Sequence, residues 1–125
     1  MYEIDRMAAI IRPSQKFVEW VNDKVATEND QIKLENLQGD CTVILIPVFD
    51  NVHDADDYIE SMYTDLFENE LEAWCLDEDR WPQKRNYELF QQWFHIEFHS
   101  FVYDSLGIEN NDEGRMGSVG GTTLQ

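Results

Sequence analysis

The residues best placed to do chemistry lie in "WFHIEFHSFVYD", Trp93 to Asp104, where His95, Glu97 and His99 recur at every second position. On a β-strand that spacing puts two imidazoles and a carboxylate on one face. Such a set can ligate Zn²⁺ or Fe²⁺. A metal centre usually draws a further ligand from another element, and the third histidine of the chain, His53, follows a separate apolar run in a loop. The order H-I-E-F-H also departs from the helical zincin pattern, in which Glu directly follows the first His. The sequence therefore favours an edge strand whose polar residues face outward and discourage edge pairing. A small metal-binding protein or metal-dependent enzyme using His95, Glu97 and His99 is the alternative.

Other catalytic patterns are weaker. Ser100 directly follows His99, and neighbours on a strand point to opposite faces, so the two cannot form a local Ser–His pair. Neither a G-x-S-x-G elbow nor a P-loop occurs. The glycines of "GRMGSVGG" have no strand before them and no helix after them, so they read as a tail. No catalytic residue and no cofactor is implied, and the chain reads as a binding module rather than an enzyme.

Charge is the most unusual feature. The 125 residues carry 26 Asp and Glu against nine Lys and Arg, a net charge of −17. Direct binding to nucleic acid is excluded on that balance, and an anionic membrane surface is equally unfavourable. Residues 34–79 hold fourteen acids and no Lys or Arg at all. Within this block Asp54, Asp57, Asp65, Glu68 and Glu72 fall inside a sector of about 80° on a helix turning 100° per residue. A solvated face is the plain explanation. Against it, like charges at i,i+3 and i,i+4 spacing repel, and surfaces selected only for solubility intersperse the two signs. The ridge is expected to dock a basic protein surface, and a stronger version of that reading makes it a mimic of nucleic-acid charge. "DEDRW" lacks the ligand spacing of an EF-hand. Trp81, in a Pro-containing loop beside Lys84 and Arg85, is expected as an exposed anchor for the partner.

The elements that must position these residues follow from periodicity. Hydrophobic residues make up 42% of the chain and aromatics 13%, enough for one modest core despite the charge. "MAAIIR" (7–12), ended by Pro13, reads as a buried strand, and "SQKFVEWVNDKV" as a helix with Ser14 as N-cap and Phe17, Val18, Val21 and Val25 on one face. "IKLENL" (32–37) alternates and is expected as a strand, joined by the turn "QGD" to "CTVILIPVF" (41–49), which is apolar on both faces. A long helix follows from Asp54, as cap, to about Cys75, with Ala55, Ile59, Met62, Leu66 and Ala73 toward the core. After the break at Pro82 come a short helix in "NYELFQQWF" and the strand "HIEFHSFVYD". The order β-α-β-β-α-β predicts an α+β domain of the ferredoxin-like split type, an antiparallel sheet with helices on one face. In it the runs at 7–12 and 41–49 are central and those at 32–37 and 95–104 are edges. The second face of the sheet then needs a cover, and self-association as a homodimer through this open face is expected.

Taken together, "AAIIRP", "TVILIPVF", "WC" followed by "WP", and "WF" with "EFHSFVYD" resemble a family of small acidic bacterial proteins without an assigned activity. The resemblance spans about residues 7–106. It implies a compact bacterial cytoplasmic domain and adds no catalytic residue. The first thirteen residues hold an apolar run too short for a signal-peptide core or a membrane span, which agrees with a cytoplasmic protein. Cys41 and Cys75 read as buried thiols. A single domain over 1–107 and a flexible, polar, Gly-rich tail over 108–125 complete the expectation.

Overall fold

The computed structural model describes residues 1–106, and the expected tail at 108–125 lies outside them. The chain is α+β, with two small antiparallel sheets and helices. Its organising element is a seven-residue strand. We label Tyr2–Glu3 β1 and Met7–Pro13 β2; β2 is hydrogen-bonded on one side to β3 (Thr42–Ile46) and on the other to β4 (Phe94–His99). Burial along β2 alternates strictly, with Met7, Ala9, Ile11 and Pro13 buried and Ala8, Ile10 and Arg12 half-buried, the period-2 signature of a strand with one core face.

Three helices supply the cover for that face. The first, α1 (Gln15–Trp20), continues as a wider π-helical turn through Val25 and buries Phe17, Val18, Trp20 and Val21. Ser14 stands at its N-cap position as expected, but its hydroxyl donates to the Gln92 carbonyl (2.7 Å) instead of capping the helix. After a single helical turn, α2 (Leu34–Leu37), and β3 comes the 21-residue α3 (Val52–Glu72). Its cap is Asn51, whose side chain accepts from the Asp54 N–H (2.9 Å), so Asp54 sits in the first turn and is not the cap. Ala55, Ile59 and Leu66 are buried as the periodicity requires, together with Phe67 and Leu71; Ala73, expected in the core, is exposed beyond the helix end. The last helix, α4 (Tyr87–Trp93), capped by Asn86, runs straight into β4.

Aromatic rings knit these layers together. Phe17, Phe67, Phe90, Trp93 and Phe94 lie with centroids 5.1–6.1 Å apart, mostly tilted or edge-on, the arrangement the ring quadrupoles favour. The loop after α3 is pinned by two indoles: Trp20 Nε1 donates to the Arg80 carbonyl (2.9 Å) and Trp81 Nε1 to the Cys75 carbonyl (2.8 Å).

Four further expectations are corrected. The strand at 32–37 is not formed. Instead the Lys33 N–H donates to the Asn36 side chain (2.8 Å), and Leu34 and Leu37, three apart, share one side of a turn. A local Asn-to-backbone bond outcompetes a short alternating pattern. With no strand from 32–37 beside it, among the described residues β3 is an edge and β2 the central strand of a sheet of three, in the order β3-β2-β4. The last strand ends at His99; after a break, β5 (Tyr103–Asp104) pairs with β1. From the pair Ala8–His99 to the pair Glu3–Tyr103 is five residues along one strand and four along the other, a bulge-like interruption that ends the larger sheet. The two cysteines are free and half-buried, not buried.

Phe67 is fully buried and meets three other rings, so Phe67→Ala is expected to cost about 3–5 kcal/mol of stability. Leu76→Ala, at a side chain 81% exposed, should stay within about 0.5 kcal/mol of the parent. Urea unfolding of the three proteins measures both.

Candidate functional site

The register of β2 against β4 decides the surroundings of the histidine pair. Ile10 lies opposite Glu97, Ala8 opposite His99 and Arg12 opposite His95, so the three predicted site residues share the outward face of the sheet with Arg12. Arg12 leans across the diagonal, and its Nε donates to Glu97 Oε1 at 2.8 Å. The second carboxylate oxygen is taken by the imidazole of His99. The hydrogen bond from Arg12, then that from His99, hold the Glu97 carboxyl down to about 2. The same pair raises the Arg12 guanidinium above its ordinary value. Arg12 also reaches the Gln38 carbonyl (3.3 Å), tying the outer face of β2 to the segment after α2.

This arrangement is an ion-paired lattice across two strands. A cation ligated by Glu97 would have to displace a guanidinium already bonded to it, and His95 lies exposed, opposite Arg12 in the register. Among the described residues no three His, Cys, Asp or Glu side chains converge as a metal-ligand set. Arg12 was missing from the sequence-derived site. Its signal was present, as the one charge in "MAAIIRP", but its partner is 85 residues away.

The second candidate is the outward side of α3. Asp54, Asp57, Asp65 and Glu72 are all exposed, opposite the buried Ala55, Ile59 and Leu66. Glu68 differs from them: it is half-buried and lies 3.4 Å from Arg85 Nη2, and that guanidinium also stands over the Trp81 ring. One of the five ridge acids is thus paired by a base from outside the acidic block. Asp56 and Glu60 are also exposed, on the flank that faces Tyr87. Burial, and then the charges of Asp56, Glu60 and Asp57, raise the Tyr87 phenol. The field of the helix is therefore felt on α4.

Trp81 does not serve as an exposed anchor. It is 6% exposed and spends its indole N–H on the Cys75 carbonyl. The loop that the sequence marks by Pro82 and two bases folds inward, because the aromatic surface is worth more in the core than in water. Glu70, by contrast, turns toward the sheet. It accepts a hydrogen bond from the Thr42 hydroxyl (2.6 Å), and desolvation raises its carboxyl. It lines a cavity of about 170 Å³ with Cys41, Asn69 and Trp74.

Comparison with models of protein families, with curated proteins and with solved structures finds no match to this chain.

The depressed Glu97 carboxyl carries a pH signature. Its folded value lies below the ordinary 4.5, so the stabilisation from the Arg12 and His99 pair is complete above 4.5 and is lost as pH falls toward about 2. In Arg12→Met, which leaves the His99 hydrogen bond, the Glu97 carboxyl should titrate higher than in the parent and the acid-unfolding midpoint should move to higher pH. A carboxyl-carbon NMR titration of the two proteins measures the shift.

Proposed function

We propose that this chain is a non-enzymatic, cytoplasmic interaction module that binds a basic protein surface through the outward side of α3. The observation that supports it best is a helix about 30 Å long on which exposed acids run from Asp54 to Glu72 with no Lys or Arg among its 21 residues. Acids on an amphipathic helix need no partner, but acids unrelieved by bases repel one another, and a cationic surface relieves that repulsion on contact. Because the attraction is long-range, it accelerates encounter more than it slows dissociation. Mimicry of nucleic-acid charge is the narrower form of the same reading, and competition with a polyanion for the captured partner is its mark. We read the fold as a ferredoxin-like split unit in which a helical turn replaces the second strand, a reading that rests on the order and antiparallel directions of β4, β2 and β3. No helix among the described residues is long and apolar enough to cross a membrane.

The test reverses charge at Asp54, Asp57, Asp65 and Glu72, which are exposed and take no part in the core. Glu68 is left intact because of its pair with Arg85. Immobilised parent protein is expected to capture basic proteins from cell extract at low salt and release them as salt rises from roughly 0.05 to 0.5 M. The four-fold Lys variant, folded by circular dichroism, should capture none of them. Retention of the same proteins by that variant at the same salt makes the ridge a solvated face and nothing more.

A further inference from the structure

The sequence treats the two edges of the three-stranded sheet differently. On β4 the outward residues are His95, Glu97 and His99, polar side chains of the kind that keep an edge unpaired. The other edge, β3, lies in the run Cys41–Phe49, which holds no charged residue and is bracketed by Asp40 and Asp50. Among the described residues β2 is the one strand that pairs with β3, and the helical turn Leu34–Leu37 does not extend the sheet. Val43, Leu45 and Val48 are 55%, 54% and 51% exposed. Pro47 stands just past the strand, so Thr42–Ile46 keeps every N–H it could offer a neighbour.

We propose that two copies of this chain associate by antiparallel pairing of β3 with β3, joining their sheets into one of six strands. Two-fold antiparallel pairing keeps equivalent faces on the same side. Centred on Ile44, it sets Val43 opposite Leu45 of the second copy, aliphatic against aliphatic beside Ala8 and Ile10 of each sheet. Paired positions then sum to 88, so Asp40 falls opposite Val48 and Asp50 opposite Gln38, and no acid faces an acid. The exposed acids of α3 lie on the far side of the helix layer from Val43 and Leu45. For a chain of net charge −17, this uncharged edge is where two copies meet with least repulsion. The other edge, with His95, Glu97 and His99 outward, remains free to end the sheet.

Salt separates this interface from the acidic docking face. Screening weakens capture of a basic partner but strengthens the meeting of two like-charged copies. Sedimentation velocity of the full chain from low to high micromolar concentration should show a species of twice the monomer mass, growing with concentration and with salt from roughly 0.05 to 0.5 M. Amide exchange in Thr42–Ile46 should slow by about tenfold or more as the dimer forms. A variant carrying both Val43→Lys and Leu45→Lys should remain monomeric, with an unchanged circular dichroism spectrum because both side chains are over half exposed. Should the double variant unfold, the exchange experiment on the parent chain still decides. A monomer at every concentration and salt, or a dimer whose Thr42–Ile46 amides exchange as fast as the monomer's, overturns the proposal.

Discussion

Everything in this molecule hangs on the register of β2 between its two neighbours. Because side chains alternate across a strand, a slip of one residue would send Met7, Ala9 and Ile11 outward and drive Arg12 into the aromatic core. A charged side chain there would be buried without a partner, at a cost far larger than any rearrangement of the surface could recover. The same register that places Ile11 in the core with Phe17 and Phe94 therefore also presents Arg12 to Glu97 on the opposite face. Core packing and the outer ion-paired lattice are two consequences of one alignment.

The long helix α3 works by an equivalent division. Its inner side contributes Ile59, Leu66, Phe67 and Leu71 to the core, and apolar burial there outweighs the repulsion among carboxylates on the outer side. Repulsion at helical spacing is worth a few tenths of a kcal/mol per pair, whereas a single buried Leu or Phe contributes about 1.5–3 kcal/mol. The helix can thus carry an unrelieved acidic face without losing its place. One acid of that face, Glu68, is drawn to Arg85, and Glu70 lies on the inner side against the Thr42 hydroxyl, so the unpaired charge of the ridge sits at the exposed Asp54, Asp57, Asp65 and Glu72.

The sheet edges show how one missing element changes a surface. In a four-stranded split arrangement β3 would be interior, with a strand on each side and only its outward face left to cover. With a helical turn at Leu34–Leu37 in place of the strand, the same residues stand at an edge, with Val43 and Leu45 in solvent. The contrast with β4, whose outward face carries the Arg12–Glu97 ion pair between two histidines, makes the two edges physically unlike.

Composition and periodicity alone determined the α+β class, the strand at β2, the long helix with five of its acids in one sector, and the shared face of His95, Glu97 and His99. These follow from short-range spacing, which sets which side chains point together before any tertiary contact forms. Tertiary structure alone decided three other matters. Arg12 met Glu97 through a strand register set by packing 85 residues apart along the chain. Trp81 left the surface for the core because its indole found a carbonyl partner at Cys75. The segment 32–37 forms a helical turn in which the Asn36 side chain accepts from the Lys33 N–H, and the hairpin pairing with β3 that a strand there required is not made.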